Sequence, residues 1–528
     1  SFKELIFHTA HKKLSKDGVG GREYGYKSAL DPVRTQRSVV SQAGIRRPPQ
    51  TGEESRDKDR PQREFMKHHH RNPRARGGRK RQPSRRDPLI GFEADVTIEQ
   101  IGARGDGIAH VAAPDGKSVL IYVDCVLPDD EVRVALRQKR GDGYGAEVIK
   151  EIAHGGGYTP PKCSHFKECG GCALQHMQES DYRTWKRDKA MVALKRAGVD
   201  PQDAENIIAD VEISPPASRR RAGFSVHVGA TGVFVGFHGR FSHTVLNVPD
   251  CAVLRPEIMA FRAAFVTFLS SCPPNDARDI KEVFVTLTDT GLDVLVQAGK
   301  DPDLDMRQDL AEFADAQNIA RLSWKTGDLP DEPVAARQTP LVSFENVDVP
   351  IAPGGFLQAT NEGEKALVKA VTSVVAEIVP KHVADLFCGV GSFTFPLALS
   401  GKRRSVTAVE SDPRAVELLQ YAVGQSGSPI KVVQRDLFRQ PLSGDELRDF
   451  DLVVFDPPRA GALAQCEALA ADGPEWVLAV SCNPATFSRD MRVLRNSGYE
   501  IQKLVPVDQF LWSSHLELFA VLRRTSVQ

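Results

Sequence analysis

Residues 382–392 read His382-Val383-Ala384-Asp385-Leu386-Phe387-Cys388-Gly389-Val390-Gly391-Ser392, an apolar run that ends in a glycine-rich turn. A strand followed at once by such a turn brings a helix N-terminus to the strand's carboxyl end, where missing side chains let a cofactor approach the backbone. Thr394 stands where a third fingerprint glycine would, so the match to a dinucleotide motif is incomplete. Glu410 ends the next apolar run, about 19 residues on, a spacing at which a carboxylate can hold the two hydroxyls of a ribose. The pair implies an adenosine-containing cofactor, either NAD or S-adenosylmethionine.

Around this turn the chain alternates regularly. Strand-like runs stand at HVADLF, SVTAVE, IKVVQRD, DLVVFD and WVLAVS, with helical spacing between them. That pattern predicts a parallel sheet covered on both faces. Upstream, Asn361 with Glu364 predicts a capping box for the amphipathic helix EKALVKAVTSVVAEIV. Downstream, EIQKLVPVD and LELFAVLRR are separated by a short linker and can form an antiparallel hairpin. Residues 356–528 therefore read as an α/β, Rossmann-like domain of the class I methyltransferase type.

The chain has 528 residues, more than one core can serve, and the remainder divides by composition. Formal charge sums to zero, yet about 23 Lys and Arg against about 10 Asp and Glu fall in the first 88 residues. Residues 1–89 read as a disordered basic extension, rich in Pro, Gly and Arg, that could touch RNA phosphates. Met66 opens its most basic part and is expected to be a translation start. Residues 90–152 hold five short alternating runs with Gly-Asp-Gly and Pro-Asp-Gly turns, the pattern of a small β-barrel. Residues 153–355 mix a cysteine-bearing loop, a helical stretch and strand-like runs, an α+β pattern. One of those strands opens on Arg219-Arg220-Arg221, either a phosphate contact or a solvated edge.

Nine cysteines, an odd number, and no leader-like apolar core argue against a secreted disulfide framework and place the chain in the reducing cytoplasm. No run reaches the length of a membrane span.

Chemistry concentrates at strand ends. Cys482, in Ser481-Cys482-Asn483-Pro484, follows the run WVLAV, so a thiol is delivered where an α/β sheet presents its reacting groups. Asp456-Pro457-Pro458-Arg459 ends another run. An aromatic after such an Asp-Pro-Pro would suit methylation of an exocyclic amine, and Arg459 stands there instead. Cys163, Cys169 and Cys172, in PKCSHFKECGGCALQH, with Cys251 downstream, form a four-thiol set that zinc or a 4Fe-4S cluster would accept. Spacing alone leans slightly to zinc.

Together, FLQATN at 356, DLFCGVGSFTFPLA at 385, DPPRAG at 456, SCNPATFSRD at 481 and HLELFAVL at 515 resemble the bacterial RNA uracil-5-methyltransferase family. GARGDGIAH and VLPDDEVRV resemble runs of the RNA-binding, OB-like TRAM domain, which points to the family branch with a TRAM domain and an iron-sulfur cluster. The resemblance covers about residues 90 to 528, and the following is what it implies. Cys482 is the nucleophile that adds to carbon 6 of a uracil, and Glu517 is the base that takes the proton from carbon 5. Gln358, Phe387, Ser392, Glu410, Asp436 and Asp456 bind S-adenosylmethionine or lie near the methyl and the base. Cys163, Cys169, Cys172 and Cys251 hold a 4Fe-4S cluster. Ser392 and Tyr421 depart from asparagines common in the family. The expected substrate is RNA, most simply 23S ribosomal RNA, with no protein partner implied. Transfer RNA is the alternative, as is a non-catalytic RNA-binding factor on the same scaffold; a cytosine-5-methyltransferase is disfavoured because DPPRAG carries no cysteine.

Overall fold

The computed structural model describes residues 87–525 apart from 241 and 403; the basic extension and Met66 lie outside the described residues. Among the described residues no helix is long and apolar enough to cross a membrane.

The C-terminal region carries an eight-stranded sheet. In spatial order its strands are Ile430–Gln434, Ser405–Glu410, His382–Leu386, Leu452–Phe455, Trp476–Ser481, Glu517–Arg524, Tyr499–Asp508 and the two-residue Glu212–Ile213. The first five are mutually parallel, and Leu452–Phe455 is buried throughout, which is why its sequence is continuously apolar rather than alternating. Glu517–Arg524 runs antiparallel to both neighbours, pairing Ser481 with Leu518 and Val507 with Glu517. The hairpin expected at the end of the chain is therefore present, and its second strand enters the sheet's interior. Strand order reverses between His382–Leu386 and Leu452–Phe455, and at such a switch point the loops after two adjacent strands part to leave a crevice.

Helix Asn361–Ile378 is capped differently from the expectation. Thr360 is the cap, its hydroxyl accepting from the Gly363 amide at 3.0 Å, so Asn361 is already helical. Asn361 and Glu364 instead serve Arg220. The guanidinium donates to the Gln358 carbonyl at 3.0 Å, to Asn361 Oδ1, and to Glu364 Oε1 at 3.1 Å. Arg221 likewise donates to the Leu357 carbonyl at 2.8 Å. Arg220 is buried and Arg221 half-buried, so neither forms the solvated edge that the arginine triplet suggested; both clamp the segment that carries Gln358.

Residues 179–213 follow the cysteine loop in the chain but pack on the C-terminal sheet. Helix Glu179–Arg196 contributes Ala190, Ala193 and Leu194 to a core shared with Leu494, Ile501 and Leu504. Its Lys186 is fully buried and lies 3.0 Å from Asp508, which also accepts the Tyr182 hydroxyl at 2.6 Å. Lys186→Met would leave Asp508 charged and buried without its partner. A loss of about 3–5 kcal/mol is expected, read as a fall in the midpoint of urea unfolding.

Two further sheets precede this region. Residues 93–153 form six strands where five runs were expected, because the first run divides into Glu93–Thr97 and Gln100–Ile101; they enclose a core around Ile98, Ile121 and Val134. A seven-stranded sheet spanning 221–336 packs on helices Pro256–Ser271 and Leu304–Ala316 through Phe261, Phe265 and Phe313.

Candidate active site

Five loops meet at the carboxyl ends of the large sheet. The turn after Leu386 puts Phe387 at φ 59°, Gly389 at φ 56° and Gly391 at φ 99°. The first is costly for a residue with a Cβ, and such conformations gather at ligand sites. A side chain on Gly389 would meet nothing within 4 Å, so its backbone faces open space. Its amide donates to Glu410 Oε2 at 2.9 Å. Glu410 Oε1 accepts the Ser411 and Asp412 amides and the Ser411 hydroxyl, which fixes the carboxylate at the strand end and leaves Oε2 with spare accepting capacity.

Asp436 follows the neighbouring strand and accepts the Phe438 amide at 3.0 Å, while the Phe387 and Phe438 rings lie 5.5 Å apart. Ser392 donates to Glu364 at 3.3 Å and so joins the turn to the Arg220 clamp. Tyr421 is exposed. Asp385, given no role by the motif it opens, is buried beneath the turn, accepts the Thr394 hydroxyl at 2.6 Å and is pushed up to about 7 by burial.

The second half of the site is a line of buried side chains. Gln358 Nε2 donates to Asp456 Oδ2 at 2.9 Å; Gln509 Nε2 donates to Gln358 Oε1 at 2.6 Å and to Glu517 Oε1 at 3.0 Å. Glu517 is only 4% exposed, although strand alternation alone left it free to face solvent. Burial, then the negative charge of Asp456, pushes it up to about 8; burial likewise lifts Asp456 to about 7. Two carboxyls this close in a dry site resist ionising together, so the pair keeps a proton near neutral pH.

Cys482 sits one residue past strand Trp476–Ser481 and one before Asn483, whose side chain caps helix Pro484–Asn496. Asn483 Nδ2 also donates to the Arg459 carbonyl at 3.0 Å, tying this turn to the loop after Asp456. Burial and the charges of Glu517 and Asp456 raise the thiol to about 11, with Arg459 opposing. Arg459 itself reaches His515. The geometry thus brings Gln358, Asp456, Cys482 and Glu517 into one crevice, with Phe387, Ser392, Glu410 and Asp436 along its other arm. The sequence does not single out Gln509, and it suggests other roles for Arg220 and Glu364, a phosphate contact or solvated edge and a capping box. A polar residue directly after the buried strand Tyr499–Asp508 was the available signal for Gln509.

Cys163, Cys169, Cys172 and Cys251 line one cavity of about 440 Å³, together with Arg104, Arg219, Arg221 and Arg240. No carboxylate lines it. Burial, and the charge of the other thiols, pushes Cys172 up to about 12. Among the described residues no set of three or more His, Cys, Asp or Glu side chains is arranged to hold a metal ion. The Arg240 guanidinium braces the loop by donating to the Phe166 carbonyl at 3.1 Å. At its other end, the Ala173 and Leu174 amides donate to the Trp512 carbonyl at 2.7 and 3.1 Å.

Residues 351–525 match the family described as tRNA (Uracil-5-)-methyltransferase. An uncharacterized RNA methyltransferase of Brucella suis is 38% identical over 431 residues, covering 81% of this chain and 97% of the relative. A 23S rRNA (uracil(1939)-C(5))-methyltransferase of Halomonas elongata is 29% identical over 458 residues, covering 84% and 92%. Among solved structures, the tRNA (uracil-54, C5)-methyltransferase of Pyrococcus abyssi, in complex with S-adenosyl-L-homocysteine, superposes with TM-score 0.61 at 20% identity, over 81% of this chain and all of the other. That likeness shows a shared fold, whose C-terminal part is the Rossmann-like α/β domain expected. At 38% identity over 97% of the Brucella relative, the chain belongs to the RNA methyltransferase family, and its residues 351–525 carry the tRNA (Uracil-5-)-methyltransferase match.

Proposed function

We propose that the protein makes 5-methyluridine in RNA, with 23S ribosomal RNA as the substrate, through a covalent adduct between Cys482 and carbon 6 of the target uracil. The observation that carries this reading is the convergence of Asp456, Cys482 and Glu517 at the ends of adjacent strands, with Gln358 from the segment before helix Asn361–Ile378 donating to Asp456 and both carboxyls buried.

Carbon 5 of uracil is a poor nucleophile. Cys482, its thiol proton lost to solvent, bonds as a thiolate to carbon 6, and the ring's double-bond electrons move onto the carbon 4 oxygen, making carbon 5 nucleophilic. The amide of Gln358 is a donor suited to that developing charge. S-adenosylmethionine supplies an electrophilic methyl group, and the open backbone at Gly389, the fixed carboxylate of Glu410 and the Asp436 turn suit its ribose and adenine. Glu517 then takes the proton from carbon 5; the C–H electrons restore the ring double bond as the carbon–sulfur bond breaks, and Cys482 leaves as a thiolate. Reaching carbon 6 requires the uridine to be extruded from its stack.

The four thiols are read as the ligands of a 4Fe-4S cluster because the family resemblance implies it; as they stand they are not drawn round a single metal ion. A single zinc ion needs four sulfurs drawn to about 2.3 Å from one centre. The wide cavity and its four guanidiniums suit a larger cluster that keeps net negative charge. Its residues would be Cys163, Cys169, Cys172 and Cys251, and it would supply a cross-link between the loop and Cys251. An anaerobic preparation containing zinc and no iron would remove this part of the proposal. The sheet of residues 93–153 is assigned as the TRAM domain. The ribosomal substrate rests on the Halomonas relative, and the cytoplasm is the compartment that holds such RNA.

The test uses RNA containing 5-fluorouridine with S-adenosylmethionine. Fluorine cannot leave as a proton, so a denaturation-resistant RNA–protein complex is expected, with the cross-linked peptide containing Cys482. Sequencing the captured RNA identifies the substrate. No complex from wild type, or one linked elsewhere, would overturn the mechanism, and capture of transfer RNA alone would overturn the ribosomal assignment.

A further inference from the structure

Gln509 is a buried side chain that hydrogen-bonds both Gln358 and Glu517. It lies past strand Tyr499–Asp508, is 2% exposed, and makes three hydrogen bonds. Its Oε1 accepts the Ala359 backbone amide at 2.9 Å. That backbone group can only donate, so the amide has one permitted orientation: its NH₂ must face Gln358 Oε1 and Glu517 Oε1. A 180° flip would set oxygen against two oxygens and NH₂ against an N–H.

The fixed orientation propagates. Because Gln358 accepts at Oε1, its own NH₂ faces Asp456, at 2.9 Å, and one of its two N–H groups stays available. Because Gln509 occupies Glu517 Oε1, the other oxygen, Oε2, is left buried and without a partner. The fold also reserves the space. A Cβ on Gly363, in the first turn of the helix over the site, would stand 2.6 Å from the Gln509 Cβ. Glycine there is what allows the helix to close on this side chain.

Resting on the 5-methyluridine reading, we infer that Gln509 is a positioning residue for the proton-removal step: its amide holds Glu517 so that Oε2 receives the proton from carbon 5, and sets the donor face of Gln358. Donation to the ionised carboxylate also favours the form of Glu517 that can accept a proton. Gln509 acts on release of the methylated product directly, through Glu517, and on attack by Cys482 only at second hand, through Gln358, so release is the step it affects most.

Gln509→Met keeps length and removes all three hydrogen bonds, whereas Gln509→Glu keeps an acceptor for Ala359 and loses the double donor. Single-turnover assays with ordinary uridine RNA and methyl-labelled S-adenosylmethionine separate methyl transfer from product release. Expected for Q509M is release slowed by about 10- to 100-fold, less than the roughly 10²- to 10⁴-fold of losing the base itself, with methyl transfer changed less. Methylated RNA–protein adduct should accumulate, and the pH at which release reaches half its maximum should move upward. Q509E should show the same split, which covers the case of a Q509M that fails to fold. Release at the wild-type rate, or transfer and release lowered in equal proportion, would overturn the inference. Wild type run beside the variants with 5-fluorouridine RNA distinguishes the two failures. No wild-type adduct sinks the underlying reading, whereas a normal wild-type adduct with unaltered variants sinks only the role of Gln509.

Discussion

Cys482→Ala is expected to lose RNA methylation by on the order of 10⁶-fold, the scale on which deleting a covalent nucleophile lowers turnover. The substitution leaves the Asn483 cap and the strand before it intact, so affinity for S-adenosylmethionine should be unchanged by calorimetry. The thiol stands at about 11 because it is buried and faces two carboxyls. Without substrate it stays protonated at neutral pH. Alkylation of the free protein by iodoacetamide should accordingly be slow at pH 7 and accelerate as pH approaches 11, since the thiolate is the nucleophile. Mass spectrometry of the labelled peptide checks the second statement and a methyl-transfer assay the first. Wild-type turnover in C482A would rule this thiol out.

Glu517→Gln is expected to transfer the methyl group and then stall. The amide cannot accept the carbon 5 proton, so product release should slow by about 10²- to 10⁴-fold. Methylated RNA should remain attached to the protein on a denaturing gel even with ordinary uridine. The wild-type pH dependence follows from the same carboxyl. Only its ionised form accepts a proton, and it is raised to about 8, so release should climb with pH toward 8 and then level. E517Q should lack that limb.

The sign of the stability effect is also fixed. Below about pH 4.3, the ordinary glutamate value, the group is neutral folded and unfolded alike. Between there and about 8 the folded chain keeps a proton that the unfolded chain releases, so stability falls as pH rises and levels off above. E517Q should therefore gain in melting temperature relative to wild type at pH 8 compared with pH 5. A variant with wild-type release and the wild-type pH profile would exclude Glu517 as the base.

Sequence order carried the α/β alternation because each strand is covered on both faces and must be continuously apolar, as at Leu452–Phe455. It carried the cofactor turn because glycine adopts φ near 56° at least cost and leaves the backbone open, as at Gly389. It misjudged the arginine triplet because charge in a string says nothing of partners 140 residues away. Arg220 looked like a surface group until Asn361 and Glu364 closed on it. The same contact explains the misplaced cap, since Thr360 holds the helix start while Asn361 and Glu364 hold the arginine.

What the sequence by itself determined was the set of reacting groups: a thiol after one strand, a carboxylate after another, a glycine turn and three clustered cysteines, each legible because its chemistry demands that residue type beside a short local pattern. What only the tertiary structure decided was their state. Glu517 is a buried acid rather than an edge carboxylate because its strand enters between Trp476–Ser481 and Tyr499–Asp508, and Gln509 acquires its meaning only where that pairing brings it against Gln358. Ionisation and amide orientation depend on what surrounds a group in three dimensions, and those neighbours come from segments far apart in the chain.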